Sequence, residues 1–173
     1  AGNVMHGMNN ETNCLDMGGL QKKMPITAYS FMIGALSLAG IAPLAGFFSK
    51  DEILLAVFHR MGPLFLTLTL IGVFLSSLYI TRLFLIVFRG NYRTERAEEA
   101  EESPAIMTVP IVVLAILATT LGAVVIPIAN YQGLGTFIDA SHHFHMLSWL
   151  TVMSSLIAIC GLAVGWLYYG TSR

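Results

Sequence analysis

Apolar residues fall into four long runs along the chain, at 25–58, 64–88, 105–128 and 146–169, with short polar connections between them. A helix crossing a bilayer needs about 20 predominantly apolar residues, so each run predicts a helix of spanning length. The first is too long for one straight crossing: its 34 residues would reach ~51 Å at helical rise, against a hydrocarbon core of about 30 Å. It is punctuated by Gly40-Ile41-Ala42-Pro43, where the proline lacks a backbone donor and predicts a kink or break. Residues 1–8 read as the tail of a further helix. The expected fold is an all-α membrane protein. It is a bundle of about four transmembrane helices plus a truncated helix end, with one helix broken near residues 40–43.

Charge sharpens the class. Of 173 residues 19 are charged, 11%, with 55% hydrophobic and a mean hydropathy of +0.72; soluble domains carry about 25% charged residues. The balance excludes intrinsic disorder and a basic nucleic-acid face, and it argues against a soluble enzyme. Two cysteines, Cys14 and Cys160, make neither a disulfide framework nor a zinc site. If the first run crosses once, Lys22, Lys23, Arg89, Arg93, Arg96 and Arg173 share one side and Arg60 stands on the other, which puts the first group in the cytoplasm. Trp149 and the group Trp166, Tyr168, Tyr169 mark the two ends of the last run, an aromatic belt at each interface. Gly161 and Gly165 form a Gly-x-x-x-Gly face suited to close helix packing. The chain opens on Ala1 without a cleavable leader, so a piece of a longer protein is expected.

Ionisable groups inside a bilayer are costly and point to function by default. Three places stand out: His6, the trio Lys50-Asp51-Glu52, and Arg82. Ser49-Lys50-Asp51-Glu52 also fits a capping box opening a short helix at 50–58, in which case 25–48 is one span and the charges form an interfacial turn. The functional alternative is a lysine on a broken helix facing the protein interior, able to store and release a proton as its acidic partner moves. Unwound backbone there frees carbonyls to hold water. Arg82 does not usefully release its proton; it either snorkels or is an interior anchor paired to a carboxylate, and in a functional site it tunes the local field. His6 is either a packing residue or a relay group titrating near neutrality. Thr27, Tyr29, Ser30, Ser37, Ser76, Ser77 and Thr81 can hold water chains or make ordinary helix–helix hydrogen bonds. The run 93–102 (RTERAEEAEE) reads as a solvated loop or short surface helix with Arg96 and Glu99 paired. His142, His143 and His145, with Asp139 near, read as incidental surface residues, and the Asn10-Glu11-Thr12 sequon falls on the cytoplasmic side. No phosphate loop or cofactor motif occurs.

Two ordered stretches carry a resemblance. Met17-Gly18-Gly19-Leu20-Gln21-Lys22-Lys23-Met24-Pro25 and Gly40-Ile41-Ala42-Pro43-Leu44-Ala45-Gly46-Phe47-Phe48-Ser49-Lys50-Asp51-Glu52-Ile53-Leu54 resemble the signature of the antiporter-like membrane subunits of respiratory complex I, most closely the subunit L (chain 5) branch. Gly2-Asn3-Val4-Met5-His6-Gly7 resembles the helix end that precedes it there. The likeness is strongest over residues 1–58; over 59–173, read as further transmembrane helices, it rests on helix order and on Tyr79-x-x-Arg82. The usual double proline is Ala42-Pro43 here, and histidines common near positions 9 and 10 are Asn9 and Asn10.

The resemblance implies a proton-translocating segment of an NADH-quinone oxidoreductase, in a bacterial plasma membrane or an equivalent organelle membrane. Lys50 would be the terminal proton-carrying lysine of a half-channel, Asp51 its companion, His6 part of a hydrophilic axis and Arg82 an electrostatic tuner. It implies no cofactor on this chain, with NADH, FMN, iron–sulfur clusters and quinone on other subunits. The implied partners are other membrane subunits, notably the adjacent subunit M, and the bilayer, with no nucleic acid. Two rivals stand beside it: the large subunit of a multi-subunit cation/proton antiporter, and a span bundle that only scaffolds a complex.

Overall fold

The computed structural model describes residues 2–9, 11–125 and 149–170, and among these it contains helices and loops with no strand. The chain forms α1 (Gly2–Gly7), a single 3-10 turn (Cys14–Asp16), α2 (Pro25–Ala39), α3 (Ala45–Met61), α4 (Pro63–Phe88), the short α5 (Glu95–Glu98), α6 (Ala105–Val125) and α7 (Trp149–Gly170). Three of these, α4, α6 and α7, are long and apolar enough to cross a membrane, and α2 is a shorter apolar helix. The sequence readings at 126–128, 146–148, Asp139, His142, His143, His145, Asn10 and Arg173 lie outside the described residues.

The long first run is two helices. Pro25 at the first helical position starts α2, where its missing N–H costs nothing and its fixed φ suits the helix. At the other end Gly40 adopts a left-handed conformation, φ 84° and ψ 42°. Its N–H donates to Ser37 O at 3.0 Å and the Ile41 N–H donates to Leu36 O at 3.1 Å, the paired bonds of a glycine-terminated helix end. Leu44 is extended and α3 begins at Ala45.

That start corrects the capping-box reading. Ser49 stands one turn inside α3 rather than before it, and its hydroxyl donates back to Gly46 O at 3.3 Å. The first turn of α3 is served from α2 instead: the Gly46 N–H donates to Ser37 Oγ at 3.1 Å. A proline-led entry and a hydroxyl from the preceding helix fix the start five residues earlier than the local pattern suggests, and α3 continues to Met61.

Packing orders the helices around α2. Phe31 stacks with Phe84 and meets Phe88, so α4 returns antiparallel along α2. α6 runs alongside α2 in the same sense, with Glu102 just before it bonded to Ile26 and Thr27 and Gly122 against the Pro43 carbonyl and Leu44. α7 lies parallel to α4. A Cβ on Gly161 would stand 2.7 Å from Phe74 O, and one on Gly165 would stand 2.9 Å from Thr81 Cβ. The Gly-x-x-x-Gly face is therefore the contact that brings α7 onto α4, as small residues allow in lipid.

One end of the bundle is sealed by its loops. Val4, Met8, Leu20, Ala28, Phe88 and Ala97 form a buried cluster, and residues 19–21 donate backbone bonds to Arg89, Val87 and Phe88 carbonyls. Both loops assigned to the cytoplasmic side, 9–24 and 89–104, meet here. Arg96 pairs with Glu11 at 3.1 Å, which corrects the expected pairing with Glu99: the two loops fold onto each other, and Arg96 reaches across the gap instead of along α5.

Candidate functional site

The site is built from the end of one helix and the side chain of the next. A helix leaves its last carbonyls without partners inside the helix. Gly40 and Ile41 satisfy those of Leu36 and Ser37, leaving Leu38 and Ala39. Lys50, in the second turn of α3, supplies the rest: Nζ donates to Leu38 O at 3.1 Å and to Ala39 O at 3.2 Å. The ammonium therefore lies at the negative end of the α2 dipole, where a cation is favoured. The route of the lysine stem depends on Gly40, because a Cβ there would stand 2.9 Å from Lys50 Cδ.

Asp51 faces a different helix. Its Oδ2 accepts from Thr151 Oγ1 of α7 at 2.7 Å, and its Oδ1 is buried with no hydrogen-bond partner among the described residues. Lys50 and Asp51 are both partly buried. Adjacent residues on a helix point about 100° apart, so the cation and the carboxylate engage α2 and α7 rather than each other.

The other two predicted site residues lie elsewhere. His6 is exposed on α1, which packs beside Ala28 near the start of α2. Lys50 sits past the end of that helix, roughly 20 Å away along its axis at helical rise. Arg82 is exposed, and its guanidinium lies over the Tyr169 ring at 5.3 Å. The structure thus brings together Lys50 and Asp51, but neither His6 nor Arg82 joins them. Ser76, Ser77 and Thr81 donate back to carbonyls of their own helix.

Glu102 was not singled out by its sequence context. It belongs to the run read as solvated, yet its carboxylate accepts from the Ile26 N–H at 2.9 Å and from Thr27 Oγ1 at 2.5 Å. It caps the first turn of α2, the positive end of the dipole. The same short helix carries a carboxylate at its start and an ammonium at its end. Beside it, a cavity of about 220 Å³ opens between α1, α2 and α6, lined by Asn3, Thr27, Ser30, Gly34 and Ala115 among others. Asn3 is 8% exposed and its Nδ2 has no hydrogen-bond partner among the described residues. Phe31, Ile111 and Leu114 complete a mostly apolar lining, with the polar groups of Asn3, Thr27 and Ser30 at one part of it.

Known proteins match most of this chain. Residues 1–76 match the family described as NADH:quinone oxidoreductase/Mrp antiporter, transmembrane. The NADH-quinone oxidoreductase subunit L of Campylobacter jejuni is 39% identical over 175 residues, covering 96% of this chain and 28% of its own length. The subunit L of Escherichia coli is 34% identical, covering 98% of the chain and 27% of its own length. The chloroplastic NAD(P)H-quinone oxidoreductase subunit 5 of Chlorokybus atmophyticus is 32% identical, covering all of the chain and 29% of its own length. The chain thus spans less than a third of the length of the curated relatives it matches.

Proposed function

Because the chain belongs to the NADH:quinone oxidoreductase/Mrp antiporter transmembrane family, we propose that it forms a proton-translocating half-channel of an NADH-quinone oxidoreductase. The observation that carries the reading is the position of Lys50, an amine on the helix after the break whose charge is held by the Leu38 and Ala39 carbonyls of the helix before it.

The chemistry follows from what holds the proton. Two carbonyls and a helix end hold the ammonium in place. A shift of α3 against α2, by even one hydrogen-bond length, removes that support and leaves the amine readier to give its proton to water. Asp51 is tethered to α7 through Thr151, so its field at Lys50 changes as α3 and α7 move relative to each other. Lys50 is the carrier and Asp51 its electrostatic companion. His6, at the far end of α2, belongs to a separate stretch of the path. Arg82 acts on the field from α4. NADH, FMN, iron–sulfur clusters and quinone belong to other subunits, and the neighbouring partner is an antiporter-like subunit M.

The test is made in the complete oxidoreductase reconstituted in vesicles. Lys50→Gln is expected to lower the proton gradient formed per NADH oxidised while the complex still assembles. An unchanged ratio would overturn the reading. The family description names a second activity, so sodium/proton exchange in the same vesicles without NADH is measured too. Exchange that persists there and depends on Lys50 would favour the antiporter reading.

A further inference from the structure

We propose that the cleft between the C-terminal ends of α4 and α7 is a binding site for the phosphate of an anionic membrane lipid. The inference rests on α4 and α7 being membrane helices and is independent of the proton-carrying role of Lys50. The cleft has a volume of about 200 Å³ and is lined by Leu85, Arg89, Gly90, Trp166, Tyr169 and Gly170.

Two guanidiniums face it or flank it. Arg89, the residue after α4, lies over the Trp166 ring at 4.4 Å, and Arg82 lies over the Tyr169 ring at 5.3 Å. They are seven residues apart, two turns, and so share one face of α4. Both are exposed, and among the described residues neither forms an ion pair with a carboxylate; the pair the structure shows joins Arg96 to Glu11.

Stacking engages the face of a guanidinium and leaves its N–H edge free. That edge matches two oxygens of a phosphate in a bidentate pair. The positive charge also has work to do at this place: α4 ends here, and the partial negative charge of a helix end alone would repel an anion. Two arginines outweigh that partial charge.

Depth selects a lipid over a free ion. Trp166, Tyr168 and Tyr169 are the interfacial aromatic group of α7, and such rings sit at headgroup level. Leu85, buried between the two arginines, closes the floor of the cleft, and outward its flank continues as Leu167 and Tyr168, which are 69% and 73% exposed. A diester phosphate held by Arg89 would run its acyl chains down this apolar flank. A basic pocket between helix ends on the side carrying most lysines and arginines is the usual setting for anionic headgroups.

The test uses the full-length subunit in its purified complex, incubated with a photoactivatable phosphatidylglycerol or a matching phosphatidylcholine in mixed micelles. Cross-links are mapped by peptide mass spectrometry. The proposal expects phosphatidylglycerol to label the 85–90 and 166–170 segments, with unlabelled phosphatidylglycerol competing and phosphatidylcholine not. Arg89→Gln should lower labelling about fivefold and the addition of Arg82→Gln by about fivefold again, from the worth of one basic residue at an anionic surface. Arg89→Lys, which keeps the charge without the fork, should fall in between. Equal labelling by both lipids, or labelling unchanged in the double variant, overturns the site. Competition by millimolar inorganic phosphate reassigns it to a free anion and overturns the lipid. If the double variant does not assemble, the wild-type competition series decides alone on the same two criteria.

Discussion

The Thr151 hydroxyl donates a 2.7 Å hydrogen bond to Oδ2 of Asp51, joining the start of α7 to the second turn of α3. The other carboxylate oxygen is buried with no hydrogen-bond partner among the described residues, so among them this one bond carries the satisfaction of a partly buried acid. Thr151→Val keeps the shape and removes the donor. It is expected to cost about 1–3 kcal/mol, the penalty of leaving a buried polar group unpaired. Thr151→Ser should be close to neutral. The thermal midpoint of the purified full-length subunit distinguishes them, and equal midpoints would show that water replaces the threonine.

Lys50 has two separable duties, closing α2 and carrying a proton. Arginine keeps a permanent charge and donors that reach the same carbonyls, but it does not release its proton at working pH. Lys50→Arg is therefore expected to preserve assembly and thermal stability while lowering proton transfer as far as Lys50→Gln does. Lys50→Gln should also lose about 1–2 kcal/mol of stability, from a charged hydrogen bond and its favourable place at the helix end. Gradient formation and melting, measured on both variants, separate the duties. A pumping Lys50→Arg complex would reduce Lys50 to a structural cap.

The legible parts of this fold were those written in local chemistry. Gly40 with Pro43 announced the break, because the glycine ends a helix in the left-handed region and the proline removes a donor nearby. Apolar run length announced the membrane helices. The start of α3 was not legible: Ser49 and Glu52 have capping-box spacing, but Ser37, twelve residues upstream of Ser49, already serves the first turn. Only tertiary contact reveals that. The Lys50–Asp51 pair was visible as an anomaly of charge in an apolar run, while its partners were not, since two are backbone carbonyls and the third is on α7. Glu102 was hidden for the opposite reason. A carboxylate among five in one polar run looks solvated, and its bond to Thr27 spans 75 residues.

Glu102 stabilises the start of α2, which has no side-chain cap from its own preceding residue. Glu102→Ala removes both hydrogen bonds and the charge and is expected to lower stability by about 1–2 kcal/mol. Glu102→Gln retains an acceptor and should lose less than half as much. Glu98→Gln, on the neighbouring short helix, should change nothing. Hydrogen exchange at Ile26 and Ala28 reports the effect locally, and faster exchange throughout α4 instead would mean global loosening and not a lost cap.

Gly161 meets α4 more closely than any side chain permits, with the Phe74 carbonyl 2.7 Å from its would-be Cβ. Gly161→Ala must push α7 outward, and overpacking of this kind costs about 1–3 kcal/mol. Gly72, with nothing within 4 Å of its would-be Cβ, is the control: Gly72→Ala should be neutral or slightly stabilising through helix propensity. Cysteine cross-linking of α4 to α7 in membranes, compared between the two variants, checks whether the helices separate.

Gly40 joins the structural and the functional halves of the site, so its substitution discriminates most. At φ 84° a side chain costs about 1–2 kcal/mol through contact with the carbonyl that follows. A Cβ there also stands 2.9 Å from Lys50 Cδ, so the lysine stem must swing away from the Leu38 and Ala39 carbonyls. Gly40→Ala is therefore expected to impair proton transfer more than its stability loss explains. Asparagine tolerates the left-handed region better than alanine but carries the same Cβ. Gly40→Asn should recover part of the stability and none of the transfer. Melting midpoint plotted against gradient per NADH for the two variants gives the answer: if transfer returns in step with stability, the glycine serves the turn alone and the lysine stem does not depend on it.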